Sequence, residues 1–560
     1  MLELELGTPG ATPPRRRPAR RTLVVAAALV GVAVAVAVVV LAGSGTTSGG
    51  HAAPRFADET VASGLDHRYQ GDFSYFVGGG VATFDCDGDG RPDLYLAGGS
   101  GPAALYHNTS ALGGALHFEQ LASPVTDLAS VTGAYPLDVD SDGITDLMVL
   151  RNGAGNQLLH GLGGCRFEAA DDRFGLDAGQ AWTVGFSATW EATNALPTLA
   201  FGNYLVPGTF DCATSALVRP ASTGGRYDTA VPLAPGYCAL SVLFSDWSRT
   251  GRQDLRLAND RHYYRDGSEQ LWRIEPGQPP HLYTAADGWR PLQTWGMGLA
   301  SQDVTGDGYP EVFITSQGDN KLQTLDAPGA GPAFHDMALA AGVTASRPFT
   351  GGDILPSTAW HPEFEDVNND GLVDLFVTKG NVDGQLDYAM KDPSNLLVGQ
   401  PGGKFREGAP DAGIVGFERA RGASVADLNL DGLPDLVVVN REANVKVWRN
   451  VGRGDEQHPA PMGHWVQLRV HEAAPNVDAV GAWVDVRVGG RTVSRELTVG
   501  GGHASGQSGW IHAGLGTADS AEVRVHWPDG ETGPWMTVAA DGFFTIERGA
   551  TSPAGWSPPA

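Results

Sequence analysis

Cysteine is scarce in this sequence: 560 residues hold four, Cys86, Cys165, Cys212 and Cys238. None forms a C-x-x-C pair, which excludes a zinc ribbon or a thioredoxin-like site. G-x-S-x-G, H-E-x-x-H and Walker-type loops are missing as well, so no familiar hydrolase, zinc-protease or nucleotide-hydrolysing motif is present. Basic charge is in deficit, with 38 Lys and Arg against 64 Asp and Glu for a net −26. Such a balance argues against a nucleic-acid partner and is consistent with cation binding, solubility or both. Glycine, by contrast, is abundant. Its 77 copies and the 36 prolines make about a fifth of the chain, a composition suited to many tight turns between short strands. The chain is too long for one ordinary core, which predicts a large repeat fold or several domains.

Long hydrophobic runs are also absent, with one exception from Thr22 to Ala42. As a helix, this uncharged run can cross a hydrocarbon layer of ~30 Å. Arg15, Arg16, Arg17, Arg20 and Arg21 precede it and should remain on the cytoplasmic side. The run exceeds the 7–15 residues of a cleaved signal's apolar region. The expectation is a cytoplasmic basic tail over 1–21, a transmembrane signal-anchor over 22–42 and a flexible linker over 43–53. The bulk of the chain then lies outside a cell membrane crossed once; secretion after signal cleavage is the alternative. Cys212 and Cys238 bracket a Pro/Gly-rich insertion and are the expected disulfide. Cys86–Cys165 is a second possible pair, with two free buried thiols as its alternative.

One pattern recurs: an apolar strand, a nine-residue acidic loop and a second apolar strand. Five copies are strong, starting at Asp85, Asp138, Asp303, Asp366 and Asp427. A weaker copy starts at Asp246, and Trp190–Thr198 fills the remaining gap without the acids. The starts are 52 to 63 residues apart, a period that suits a propeller blade of several short strands. Aromatic-led strands at Phe56, Phe118, Phe167, Tyr227, Tyr283, Phe334 and Phe405 give seven again. The two series are out of phase, because Phe56 precedes the first loop. The strand near Phe56 should therefore complete the blade that holds the last loop, removing an exposed edge. The prediction is an all-β chain with a seven-bladed propeller over 54–453.

Each strong loop carries oxygen-bearing side chains at positions 1, 3, 5 and 9 and glycine at position 6. Hard cations such as calcium take six to eight oxygens at ~2.3–2.6 Å, and glycine permits the reversal that brings position 9 back to the ion. The candidate ligands are Asp85, Asp87, Asp89 and Asp93; Asp138, Asp140, Asp142 and Asp146; Asp303, Thr305, Asp307 and Glu311; Asp366, Asn368, Asp370 and Asp374; and Asp427, Asn429, Asp431 and Asp435. Backbone carbonyls at position 7 (Arg91, Ile144, Tyr309, Leu372, Leu433) complete the expected shell. Asp246, Ser248, Thr250 and Asp254 form a weaker set, so about five Ca2+ sites are expected and six are possible. The five strong loops crowd 17 carboxylates into short turns, where without a cation they would raise one another's pKa. Asp, Asn and Gly also make turns with no ion at all; recurrence at constant period is what favours metal.

These loops resemble the FG-GAP/VCBS repeats of integrin alpha-chain propellers, where the resemblance implies calcium on the blade edges. The runs HWVQLRV at 464–470 and VRVHWPDG at 523–530, with the glycine-rich stretch between them, are similar to an ASPIC/UnbV domain. The combination resembles the cartilage acidic protein family of extracellular calcium-binding propellers. Alternation at Trp465, Gln467 and Arg469, and at Val484, Val486 and Val488, predicts a small antiparallel β-domain over 464–547. A Pro/Ser/Gly tail over 548–560 is expected to be disordered.

No catalytic residues emerge. His361, beside Trp360 and Glu363, could line a central funnel as a ligand site, but a structural histidine is the simpler reading. Arg453-Gly454-Asp455 reads as a chance tripeptide between domains. The expectation is a non-enzymatic binding or adhesion module for a protein or glycan, its calcium structural and its oligomeric state open. An enzyme acting on a carbohydrate or natural product, and a structural envelope protein, are the alternatives.

Overall fold

The computed structural model describes residues 51–559 except 178, 223, 261–266, 345–356 and 383–391. The expected basic tail and transmembrane segment lie outside the described residues, among which no helix is long and apolar enough to cross a membrane.

The chain is all-β. Seven antiparallel four-stranded sheets cover 55–452; one has a short extra strand, Gly99–Pro102, and another is joined in parallel by Gly506–Gln507 from the C-terminal part of the chain. Their first strands are Val81–Phe84, Ala129–Leu137, Thr183–Thr189, Ala239–Ser245, Gly296–Gln302, Ala359–Glu365 and Arg419–Ala426. Each lies beside the next, and the last lies beside the first, forming a ring. These strands are largely buried. The aromatic series marks the fourth strands, as at Phe118–Leu121, Phe334–Asp336 and Lys404–Glu407. Two positions depart from this: Tyr283 directly follows its fourth strand, His281–Leu282, and Tyr227 bridges Pro220, the fourth strand there being Val231–Leu233. The strand at Phe56, Arg55–Asp58, pairs with Lys446–Gly452.

Residues 464–556 form two further sheets packed about Val466, Leu468, Val484, Val523 and Ile546. This domain is not purely antiparallel. His464–His471 pairs antiparallel with Ile511–Gly516 but parallel with Gly542–Glu547. The hairpin Ser520–His526/Met536–Ala539 belongs to the other sheet, so the chain returns to the first sheet in the parallel sense. The tail is also not the expected disordered segment. Ala554–Trp556 pairs with Gly542–Glu547, and Trp556 packs against Trp510 and Phe543; indole burial outweighs the local Pro/Ser/Gly composition. At the other end, residues 51–53 of the expected linker are fixed: His51 bonds Asp370 (2.8 Å), and Asn368 donates to the Ala52 carbonyl (3.1 Å). Both disulfides, Cys86–Cys165 and Cys212–Cys238, are formed.

Between the domain's two sheets, the segment 499–507 enters the centre of the ring and bonds all seven first strands. Ala188 N–H donates to Val499 O (3.2 Å), Gly501 N–H to Val242 O (2.9 Å), Gly502 N–H to Leu299 O (2.6 Å) and His503 N–H to His361 Nδ1 (3.0 Å). Ala134 N–H donates to Ala504 O (3.3 Å), Val81 N–H to Ser505 Oγ (3.0 Å) and Ser424 Oγ to Gln507 Oε1 (2.9 Å). Two positions explain how backbone fits there. A Cβ on Gly80 would stand 1.7 Å from the Ala504 oxygen, and one on Gly133 2.2 Å from it, so only glycine permits the approach.

Candidate functional site

Each acidic loop joins the first and second strands of its sheet, and position 9 opens the second strand. All seven therefore sit at one end of the ring. The same cage recurs. The position-1 carboxylate accepts the position-6 N–H directly at Asp138 (from Gly143, 2.8 Å), Asp366 (from Gly371, 2.7 Å) and Asp427 (from Gly432, 2.8 Å). The same position-6 bond is made at Asp85 (from Gly90, 2.8 Å) and Asp303 (from Gly308, 2.9 Å). The position-9 carboxylate ties back to position 2: Asp93 accepts from Cys86 N–H (2.8 Å), Asp146 from Val139 (2.9 Å), Glu311 from Val304 (3.0 Å), Asp374 from Val367 (3.0 Å) and Asp435 from Leu428 (3.1 Å). The backbone thus converges the carboxylates that the spacing selected.

In the first loop, oxygens of Asp85, Asp87 and Asp93 lie within 4.8 Å of one another, and in the second those of Asp138, Asp140 and Asp142 do. Burial dominates their electrostatics. It pushes Asp93, Asp146 and Asp303 up to about 6, and Asp138 and Glu311 up to about 7. Asp366, Asp374, Asp427 and Asp435 are driven well above the usual carboxylate range, first by burial and then by neighbouring carboxylates. At position 3, Asp140 Oδ1 and Asn429 Oδ1 are buried without a hydrogen-bond partner among the described residues. The loops at 303, 366 and 427 offer oxygen alone, which with the orphaned position-3 oxygens fits a hard divalent cation, while His107 and His160 stand among the acids of the first two loops.

Arginine reaches two of the strong loops, Arg91 at Asp89 and Arg173 at Asp140 (2.6 Å), and in the two degenerate loops it engages a remaining carboxylate. At 246, Asp254 accepts from Arg252 Nε (3.1 Å), Trp247 Nε1 (2.9 Å) and the Tyr283 hydroxyl (2.9 Å), which uses up the position-9 ligand. At 190–198, Glu191 accepts from Thr198 Oγ1 (2.6 Å) and Arg219 Nε (2.7 Å). Among the described residues, the loops at 303, 366 and 427 have no Lys or Arg within ion-pair distance; His51 pairs with Asp370, and Arg449 acts on Asp431 from further off. His107 and His160, which the spacing did not single out, bond Asp93 (3.0 Å) and Asp146 (2.9 Å).

The C-terminal domain covers this end of the ring. Gln467 Nε2 donates to Asp427 Oδ2 (2.8 Å), Arg469 lies 3.5 Å from Asp85, and Arg495 pairs with Glu365 (2.5 Å). Glu496 accepts the Asp246 N–H (2.6 Å), Ser494 O accepts from Gln302 (2.7 Å), and Pro475 O accepts from Ser141. None of these partners was legible, because a docking contact leaves no periodic signal. His361 is structural: its Nδ1 accepts from His503 N–H (3.0 Å), so Nε2 carries the proton that it donates to Glu363 (3.2 Å). The Arg453-Gly454-Asp455 tripeptide sits in a turn in which Asp455 accepts from Gln457 and His458 N–H.

FG-GAP-like repeats match residues 85–149, 303–377 and 366–438, and an ASPIC and UnbV domain matches 472–553. No curated protein matches the chain. Among solved structures it is similar to an Agrocybe aegerita lectin described as recognising non-reducing terminal N-acetylglucosamine. That likeness has 16% identity over 67% of this chain and 92% of that one, at a TM-score of 0.39. It is also similar to the BP39L lectin of Burkholderia pseudomallei, with 12% identity over 82% of this chain and 98% of that one, at a TM-score of 0.32.

Proposed function

From the premise that the chain carries FG-GAP-like repeats and a C-terminal ASPIC and UnbV domain, we propose that it is a calcium-stiffened binding module. The seven sheets are read as the blades of one closed propeller, with Arg55–Asp58 as the closing strand. The carrying observation is that five loops each gather three or four carboxylates with the same carboxylate-to-backbone bonds, whereas the loop at 246 keeps only Asp246 and Asp254, the latter held by Arg252, and the loop at 190–198 keeps only Glu191, held by Arg219. Calcium, held by the position 1, 3, 5 and 9 side chains of the five strong loops, would supply charge neutralisation and cross-linking of each first strand to its second. Five ions would move the formal charge from −26 to −16. The loop at 246 is assigned no ion.

The function is binding a protein or glycan outside the membrane, with the N-terminal run as its anchor, and not catalysis. Equilibrium dialysis against radioactive calcium tests the metal assignment. Five ions per chain are expected, with four after Asp427→Ala and still five after Asp246→Ala. A count of zero, or one unchanged by Asp427→Ala, contradicts the assignment.

A further inference from the structure

Two of the acidic loops are served by a nitrogen donor as well as by oxygen. His107 lies on the third strand of its sheet, Ala104–Asn108, and His160 on Gln157–Gly161. Each stands one step beyond a cross-strand pair, Leu94–Tyr106 or Leu147–Leu159, and so faces position 9 of its loop, Asp93 or Asp146. The same step in the other strong loops lands on Thr324, Val398 and Arg449. The two loops with imidazole are also the two with four carboxylates rather than three.

Both rings are held alike. Nδ1 bonds the position-9 carboxylate, at 3.0 Å from Asp93 and 2.9 Å from Asp146. A carboxylate only accepts, so Nδ1 carries the proton and Nε2 presents its lone pair. Among the described residues Nε2 makes no hydrogen bond; it faces a second carboxylate at 3.8 Å, Asp87 from His107 and Asp142 from His160. That separation is too long for a hydrogen bond, yet one ion bonded at about 2.0–2.2 Å to each atom spans it. Metal-bound histidines donate their other ring nitrogen to a carboxylate in this same way. The His160 side chain is only 7% exposed and Asp142 is 37% exposed, so the ring is fixed while the carboxylate opens to solvent.

The nearby arginines take other acids. Arg91 bonds Asp89, Arg469 lies 3.5 Å from Asp85, and Arg173 bonds Asp140 (2.6 Å). Asp87 and Asp142, the carboxylates that the imidazoles face, have no Lys or Arg ion pair among the described residues. Calcium takes oxygen donors, whereas imidazole suits zinc and its first-row neighbours.

We propose that the first two loops are binding sites for a transition-metal dication of the zinc class, held by His107 Nε2 with Asp87 and by His160 Nε2 with Asp142, and that such an ion displaces calcium there. The proposal rests on the reading of the loops as metal sites and names a second ion for two of them.

The test dialyses the full chain, stripped with EDTA, into millimolar calcium with and without micromolar zinc, and counts both metals by elemental analysis. Two zinc ions per chain should bind, and calcium should fall from five to three. His107→Asn and His160→Asn keep a nitrogen where Nδ1 stands, so the bond to Asp93 or Asp146 survives while Nε2 is lost. Each should remove one zinc and leave the calcium-only count at five. Absence of zinc beside five calcium ions overturns the proposal and leaves the calcium assignment standing. Two zinc ions with no calcium under either condition uphold it and overturn the calcium assignment instead. A zinc count unchanged in the double variant overturns the site. Should the variants fail to fold, zinc-edge X-ray absorption of the unaltered protein decides: imidazole scattering supports the site, and a shell of oxygen alone overturns it.

Discussion

At the scale of single residues, the account turns on carboxylates whose surroundings oppose their charge. Asp138 and Glu311 are pushed by burial up to about 7, and Asp303 up to about 6. An aspartate or glutamate whose folded pKa is raised binds protons better folded than unfolded, so without metal stability falls as pH rises through that window. In EDTA, the melting temperature should therefore climb as pH is lowered from 8 to 5.5. In millimolar calcium the trend should reverse or flatten, since the ion binds only the ionised form. Melting curves across pH with and without calcium check this; identical profiles in both would contradict it. Removal of the Cys86–Cys165 bond, which closes 79 residues of sequence separation, should cost about 2–5 kcal/mol. Denaturant unfolding of Cys86→Ser/Cys165→Ser measures that cost.

Among the elements, the segment 499–507 does what no blade can do for itself, filling the ring's centre and bonding seven strands from as many sheets. Gly80→Val places a side chain where the Ala504 carbonyl stands, and backbone cannot yield as a flexible side chain can. A loss of about 2–3 kcal/mol is expected from such overpacking. Gly155→Ala, where the nearest atom is 3.8 Å from the new Cβ, should stay within about 0.5 kcal/mol. Urea unfolding of the two variants compares them; equal stabilities would remove the segment from its assigned role.

Much of this scale was legible in the sequence. The acidic loops are local: nine adjacent residues carry the chemistry, and the fold needs only to repeat them. The offset between Phe56 and the first loop already implied that Arg55–Asp58 pairs late in the chain, as it does with Lys446–Gly452. The central segment was not legible. Its partners, from Val81 to Ser424, are remote in sequence and are reached largely through backbone atoms, which leave no residue pattern. The Gly500-Gly501-Gly502 run was its one signal. The Ala554–Trp556 strand was missed for a different reason: Pro, Ser and Gly dominate the tail's composition, while the single Trp556 supplies its packing.

For the whole molecule, the C-terminal domain and the ring are one folding unit. The domain covers the loop end, and its segment occupies the centre, so residues 51–453 expressed alone should expose the first strands and lose cooperative unfolding. A soluble, cooperatively melting 51–453 would show the two to be independent. The central claim is that the acidic loops are metal sites that hold this unit together, and its most direct measurement is the thermal unfolding of residues 51–560 in EDTA and then in millimolar calcium, with bound metal counted by elemental analysis. A ligand that binds only the folded state raises its melting temperature. The account predicts a large rise with about five calcium ions retained; an unchanged melting temperature with no metal bound would contradict it and reduce the loops to turns.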